Sequence, residues 1–216
     1  MLNIIYEDNH LLVVQKPINV PVCADISGDD NLLDMLKKYL KEKYNKPGNV
    51  YLGLIHRLDR PVGGIMVFAK TSKAASRLSK QIQNHEFKKT YYAVVCGNIN
   101  DKGNFFDRLL KNNKLNIVTV NDEGKEAKLS YIKQGFVNNM SLVEIGLHTG
   151  RSHQIRVQFA HHGYPLYGDQ KYNSNAMMHE QIALFAQKIE FIHPTTKEKM
   201  QFLLPLPQNK PWNLFF

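Results

Sequence analysis

Short apolar runs separated by turn residues dominate the pattern of this chain. The opening "NIIYEDNHLLVVQKP" places two such runs around "EDNH" and predicts two short strands, the second ending at Pro17. Further strands are predicted at "IMVFAK", "KTYYAVVCG", "LSYIKQGF" and "MSLVEIGLHT", the last two around the turn signal "VNNM". Near the end, "IALFAQKIEFIHPTTKEKMQFLLPLP" predicts a hairpin. Because turns join most of these strands, we expect antiparallel pairing.

Three segments instead have the spacing of amphipathic helices. The first begins at "DDNLLDMLKKYL", with an Asp or Asn as its cap, and is expected to end at Pro47-Gly48. The second follows Thr71 or Ser72 as its cap. The third follows "TGRS", with Ser152 as its predicted N-cap and Gly163 after its last turn.

Between these elements, the segment from 98 to 128 is rich in turn residues and is predicted as largely loop, with Gly103 and Gly124 at turns. Runs of strands with a few helices indicate an α+β fold, with a mixed, largely antiparallel β-sheet core flanked by helices. No repeat, low-complexity tract or linker divides the chain. We therefore expect a single domain over residues 1–216.

Charge adds an expectation about the partner. The formal net charge is +9 and the pI is about 9.4, which favours an anionic partner, most commonly nucleic acid. The 2 cysteines show no CxxC spacing, and no signal peptide or long apolar stretch is present. The sequence thus predicts a cytoplasmic protein with no membrane association, and a monomer as the simplest state.

Several kinds of chemistry lack their motifs. The chain has no P-loop, no GxGxxG, no GxSxG and no HExxH. Its histidines between 148 and 162 have no carboxylate or cysteine among them at ligand spacing. We therefore expect no metal site and no small-molecule cofactor.

Asp59 stands in "HRLDRPVGG", with Arg57 and Arg60 close by and a glycine pair behind it. Neighbouring positive charge keeps a carboxylate ionised. An ionised carboxylate in a partly dry cleft acts as a nucleophile or a base, whereas in an exposed turn it only forms surface ion pairs. From these residues alone, both interpretations stay open.

The segment "TGRSHQIR" is a second candidate. Arg156 lies near a predicted helix start, where free N–H groups and the helix dipole favour an anion, and Arg151 and His153 could add donors. The alternative is a capped helix whose arginines are solvated.

Taken together, the segments resemble the RluA-type family of RNA pseudouridine synthases nearly from end to end. The resemblance is carried by "IIYEDNHLLVVQKPINVPV", "HRLDRPVGGIMVFAKTSKAASRL", "KKTYYAVVCG", "TGRSHQIRVQFAHHGYPLYGDQKY" and "FIHPTTKEKMQFLLPLP". In that family the aspartate after "HRL" is the catalytic residue, which here is Asp59. The resemblance implies that Asp59 attacks the target uridine or takes a proton from it.

The remaining roles also follow from the resemblance. Tyr91 is expected to stack on the uracil and assist proton removal, and Arg156 to pair with the carboxylate of Asp59. Leu184 is expected to pack against the base. Charge, and not the resemblance, makes Arg57, Arg60, Arg151 and His153 candidates for contacts to RNA phosphates. The implied partner is structured ribosomal or transfer RNA, and the reaction is an isomerisation without a cofactor.

The chain departs from the family at Val62 and Gly63, where relatives usually carry two hydroxyl residues. It is also expected to have no N-terminal S4-like RNA-binding module. Two other functions are compatible with these residues. One is a non-catalytic RNA-binding protein with the same fold. The other is a hydrolase that pairs Asp59 with a second carboxylate such as Asp169.

Overall fold

The computed structural model describes residues 2–25 and 27–216. The chain forms two compact units, the first made of Met1–Lys88 and Lys188–Leu204, the second of Lys89–Gln187 and Pro205–Phe216. The helices are α1 Leu32–Lys43, α2 Ser72–Gln83 and α3 Gln154–His161. The strands are β1 Asn3–Glu7, β2 Leu11–Lys16, β3 Gly53–Leu54, β4 Gly63–Ala69, β5 Lys88–Cys96, β6 Lys102–Asn112, β7 Ile117–Val120, β8 Lys125–Val137, β9 Met140–Leu147, β10 Leu184–Ile192 and β11 Lys199–Leu203.

In the first unit, β2 pairs antiparallel with both β1 and β4, and β3 pairs with β4. The Lys188–Ile192 part of β10 pairs antiparallel with β11. Strand β4 is buried along its whole length. Helix α1 buries one leucine stripe, and α2 buries Ala74 and Leu78, so each helix contributes one apolar face to the core.

In the second unit the strand order is β5-β9-β8-β6-β7, and every neighbouring pair is antiparallel. Helix α3 packs on one face of this sheet, where the ring of Phe159 contacts those of Phe105 and Tyr131 at centroid distances of 5.1 and 5.6 Å. These rings form part of the buried core of the unit.

The α+β fold with a largely antiparallel sheet is confirmed, as are most of its local signals. Side chains of Asn31 and Thr71 cap α1 and α2. In the predicted turn between β8 and β9, Asn138 and Asn139 both have positive φ, the geometry of a two-residue hairpin. Among the described residues no helix is long and apolar enough to cross a membrane.

The prediction of a loop from 98 to 128 was wrong, because β6, β7 and the start of β8 lie there. The polar residues that resemble loop sequence alternate with buried ones along β6. Gly103 lies inside β6 and not at a turn, while Gly124 does lie at a turn, its N–H bonded to Asn121 O at 2.8 Å. Because one face of this sheet is exposed to solvent, these strands carry polar residues that are also typical of loops.

Two helix boundaries also differ from prediction. Helix α1 ends before Pro47-Gly48, because Asn45 adopts φ +47° and its N–H and that of Lys46 bond back to the last turn. At α3 the N-cap is His153 and not Ser152, and no side chain makes the capping hydrogen bond. Gly163, with φ +85°, follows the end of α3 as predicted.

Candidate functional site

Asp59 lies in the connection between β3 and β4, within the first unit. It is half-buried, and the side chains of Leu58 and Val62 on either side are buried. The carbonyl of Asp59 accepts a hydrogen bond from Val62 N at 3.0 Å, which closes a turn. The two apolar anchors and this turn hold the Asp59 backbone in one conformation.

Lys16, the last residue of β2, is wholly buried. Its ammonium group donates to three carbonyl oxygens, those of Pro17 at 2.9 Å, Arg60 at 3.0 Å and Val62 at 2.8 Å. An ammonium group has three donors, so all of them are used. Lys16 therefore ties the Asp59 turn to the core strand β2. Lys16 was not predicted as part of the site, although a lysine directly after the apolar run Leu11–Val14 and Gln15 was a signal.

The charge of Lys16 is affected by the same surroundings. Burial lowers the pKa of Lys16 to about 7, opposed by the negative charge of Asp59 and reinforced by the positive charge of Arg60. Lys16 is thus held by neutral carbonyl groups while lying in the electrostatic field of Asp59.

The two arginines near Asp59 have different surroundings. Arg60 donates to Ser27 Oγ at 3.0 Å and forms ion pairs with Asp25 and Asp29. Arg57 is exposed and, among the described residues, makes no hydrogen bond or ion pair. Both side chains are exposed to solvent, but only the charge of Arg60 is balanced by neighbouring aspartates.

The departures at Val62 and Gly63 are explained by packing. The Val62 side chain is buried, and a Cβ on Gly63 would lie 3.1 Å from the Ile18 side chain. Both positions belong to the interior of the first unit, where an apolar residue and a glycine fit.

Within the second unit, Arg156 on α3 pairs with Asp169. Arg156 Nε donates to one carboxylate oxygen at 2.8 Å and Nη2 to the other at 2.7 Å. The Asp169 carboxylate has no solvent exposure and also accepts from the backbone N–H groups of Lys171 and Tyr172. This two-point contact fixes the plane of the guanidinium group. It also occupies both oxygens of Asp169, which disfavours the hydrolase alternative.

The other residues of "TGRSHQIR" lie around the start of α3. Gln154 accepts from Arg151 N at 3.0 Å and from Thr149 Oγ1 at 2.7 Å. Arg151 is exposed, and its Nε donates to Glu126 O at 2.8 Å. His153 Nδ1 lies 2.7 Å from the hydroxyl of Tyr172, whose ring lies 5.2 Å from the Arg156 guanidinium carbon. The structure thus brings His153, Arg156 and Asp169 together through Tyr172.

Tyr91 lies in β5 and is 6% exposed. Residues that pair directly across antiparallel strands lie on the same face of the sheet. Tyr91 pairs with Ile145, and Ile145 pairs with Tyr131, so Tyr91 lies on the α3 side with Tyr131. Leu184 opens β10 and is equally buried. Lys89 precedes Tyr91 by two residues on the same side of β5, and burial lowers the pKa of Lys89.

The pairing of Asp169 with Arg156 was not predicted, although Asp169 lies in a segment that resembles the family, "TGRSHQIRVQFAHHGYPLYGDQKY". Pairing of Asp59 with Arg156 stays a prediction, as do the roles of Tyr91 and Leu184. Across the part of the chain that the structure describes, no group of three or more His, Cys, Asp or Glu side chains is arranged to hold a metal ion.

Comparison with known proteins identifies the family. Residues 10–161 match the family model described as "RNA pseudouridylate synthase". The chain is 33% identical over 222 residues to a protein of Zymomonas mobilis named "Ribosomal large subunit pseudouridine synthase D", covering 96% of this chain and 70% of that one. It is 34% identical over 211 residues to "Uncharacterized RNA pseudouridine synthase YjbO" of Bacillus subtilis, covering 96% and 74%.

A solved structure supports the fold. "Human RNA Pseudouridylate Synthase Domain Containing 4" superposes with a TM-score of 0.80 at 20% identity, covering 95% of this chain and 89% of that one. The match in sequence extends through both arginine-bearing segments described above. The chain therefore belongs to the RluA-type family of RNA pseudouridine synthases, isomerases that convert uridine in RNA to pseudouridine.

Proposed function

We propose that Asp59 is the catalytic carboxylate of this synthase. It attacks the target uridine or takes a proton from it, the N-glycosidic bond breaks, and the uracil turns and rejoins the ribose through carbon. The observation that carries the proposal is the environment of Asp59, a half-buried acid in a turn anchored by the buried side chain of Lys16. Such preorganisation is what a nucleophile or base requires.

Arg156 is proposed to keep the Asp59 carboxylate ionised and oriented. An arginine has five N–H donors, of which the contact with Asp169 uses Nε–H and one on Nη2. The contact with Asp169 fixes the plane of the guanidinium group. We propose that Asp169 positions Arg156 and that Arg156 in turn positions the carboxylate of Asp59.

Tyr91 is proposed to stack on the uracil ring and to assist the later proton removal, with Leu184 packed against the base. A uridine in structured RNA is stacked and must be flipped into a pocket before chemistry. Both side chains lie on strands of the second unit and are 6% exposed, which supports a role in an enclosed pocket.

The substrate is proposed to be structured ribosomal or transfer RNA. A net charge of +9 and the names of the bacterial relatives support this choice. Phosphate contacts are assigned to Arg57, Arg151 and His153, with a smaller share for Arg60, whose charge is balanced by two aspartates. We further propose a cytoplasmic monomer with one catalytic domain that acts without a cofactor.

The test uses ribosomal and transfer RNA transcribed in vitro, which carries no modified nucleoside. Wild type, Asp59→Asn and the control Asp30→Asn, an exposed acid of the same unit, are incubated with it. Pseudouridine is then mapped by carbodiimide labelling and primer extension. We expect wild type and Asp30→Asn to modify the same uridine and Asp59→Asn to modify none.

Other outcomes contradict the proposal. Binding of RNA by wild type without conversion would make the chain a binding protein with the same fold. Release of free uracil would indicate hydrolysis. Conversion by Asp59→Asn at the wild-type rate would remove Asp59 from the reaction.

A further inference from the structure

The sheet of the second unit has a second face that α3 does not cover. Strand alternation puts Phe105 and Tyr131 on the α3 side, where they pack with Phe159. Phe106 therefore points to the opposite side, which we call the outer face. Register neighbours on this face are Phe106 with Lys128, Asn104 with Ser130, and Lys102 with Ile132. Tyr91 shares the α3 side, so the outer face is separate from the one that carries Tyr91.

Large apolar side chains on the outer face are open to solvent. Phe106 is 67% exposed and Ile132 is 54% exposed, and both lie in the middle of long strands. Leu110 lies on the same face of β6 as Phe106 and is 40% exposed. Exposed apolar side chains grouped on one sheet face indicate a binding surface.

The charge of the outer face favours a polyanion. Lys128 Nζ lies 5.9 Å from the centroid of the Phe106 ring, and Lys102 and Arg108 lie on the same face of β6. Two acids lie on the same face: Glu126, the register neighbour of Arg108, pairs with Lys128 at 3.5 Å in an exposed ion pair, and Glu144 accepts from the hydroxyl of Tyr92 at 2.7 Å. Lys128 thus lies beside the exposed ring of Phe106, and Lys102 and Arg108 extend the positive charge along the same face of β6.

We propose that the outer face binds single-stranded RNA, with a base stacked on Phe106 and the backbone phosphates at Lys102, Arg108 and Lys128. Every base offers a flat face for stacking, and a strand face with an aromatic ring among cations supplies both contacts without reading sequence. A protein partner fits less well, because lysine is depleted from the cores of protein interfaces.

The proposal rests on the proposed function in one respect, that RNA is the molecule the chain acts on. The bound segment would be a single-stranded stretch of the same RNA that lies outside the flipped uridine. The face would then raise affinity for the substrate without taking part in the isomerisation.

The first experiment measures binding of a fluorescein-labelled oligoadenylate of 12 nucleotides by fluorescence anisotropy. This probe contains no uridine, so the result does not depend on pseudouridine formation. The variants are Phe106→Ala, Phe106→Trp and the control Phe136→Ala. Phe136 on β8 is 48% exposed, but it pairs with Ser141, which is buried, so it lies on the face opposite to the outer face.

We expect Phe106→Ala to weaken binding roughly tenfold, within the range for loss of one stacked base. Phe106→Trp should bind at least as tightly as wild type, and Phe136→Ala should bind like wild type. Equal affinity for wild type and Phe106→Ala would overturn the proposal. So would an equal loss in Phe136→Ala, or no binding by wild type.

A second measurement tests the phosphate contacts through the salt dependence of the same affinity. Lys128→Met should reduce the slope of log K against log salt by about 0.7, the value for one phosphate contact on a single strand. The matched control is Lys125→Met, an exposed lysine of the same strand whose register neighbour is Leu109 on the α3 side. Equal slopes for Lys128→Met and wild type would overturn the assignment.

Discussion

Arg156 and Lys16 are both almost excluded from solvent, one in each unit, but their partners differ. Arg156 faces the buried carboxylate of Asp169 through two parallel hydrogen bonds. Lys16 faces three neutral carbonyl oxygens and has no carboxylate within ion-pair distance among the described residues. A guanidinium group in contact with a carboxylate remains charged, whereas burial lowers the pKa of Lys16 to about 7.

The difference indicates two ways of positioning a reacting group. Asp169 fixes a permanent positive charge at Arg156, suited to stabilising an anion. Lys16 fixes backbone instead, because its contacts are to the carbonyl groups that follow Asp59. Asp169 therefore orients a side chain, Arg156, whereas Lys16 holds the backbone that carries Asp59.

The largest expected effect comes from breaking the pair in the second unit. Asp169→Asn replaces the carboxylate that accepts two hydrogen bonds from the buried guanidinium group of Arg156 by a neutral amide, which costs about 3 kcal/mol of unfolding free energy. The single-turnover rate of pseudouridine formation should fall at least a hundredfold, because the plane of the Arg156 guanidinium group is no longer fixed. Urea unfolding and single-turnover rates measure the two effects. The control Asp101→Asn removes an exposed partner of Lys133 and should change neither quantity.

Lys16→Met tests the other cation. Three carbonyl oxygens lose their donor, one of them in a fully buried hydrogen bond, which we expect to cost about 2 kcal/mol of unfolding free energy. Because the turn at Asp59 loosens, the single-turnover rate should fall while RNA affinity stays unchanged. Lys73→Met, an exposed lysine of the same unit, provides the control. A rate equal to wild type would show that the turn is held by other contacts.

The pH dependence of stability separates the two cations further. Lys16 has a pKa of about 7 in the folded chain against an ordinary value of 10.5, so between these values the unfolded chain binds more protons. Stability of wild type relative to Lys16→Met should therefore rise with pH from 7 to 10, by at most about 1.4 kcal/mol per pH unit. Urea unfolding of both proteins across this range measures the difference. A constant difference would mean that Lys16 keeps its ordinary pKa.

Tyr172→Phe should have the smallest effect. It removes the hydroxyl that lies against His153 Nδ1 and accepts from Val118 N at 3.0 Å, but keeps the ring beside Arg156. We expect a loss of about 1 kcal/mol in unfolding free energy and little change in rate. If Tyr172→Phe slows conversion as much as Asp169→Asn, the orientation of Arg156 depends on His153 and Tyr172 as well.

Elements specified by nearby residues could be predicted from the sequence. The caps at Asn31 and Thr71 and the turn at Asn138-Asn139 depend on side chains within three or four positions. Strands β6 and β7 could not be predicted from the sequence, because polar and charged residues typical of loops are interspersed with their apolar residues. Their assignment as strands depends on pairing with β8.

For the site, the residues proposed to act on the substrate could be predicted from the sequence, but the contacts that support them could not. The resemblance singled out Asp59, Tyr91 and Arg156, since each belongs to a recognisable block. The supporting contacts were missed because their partners are distant in sequence: Lys16 binds carbonyl groups 44 and 46 residues away, and Arg156 binds a carboxylate 13 residues away. Such pairs follow from the folded backbone and not from spacing.

The most direct test of a catalytic Asp59 is the single-turnover rate of Asp59→Asn on in vitro transcribed RNA, measured together with its dissociation constant. The substitution keeps the size of the side chain and removes its charge. We expect the rate to fall at least a thousandfold while the dissociation constant stays within threefold of wild type. A rate within tenfold of wild type, with RNA fully bound, would contradict the assignment of Asp59.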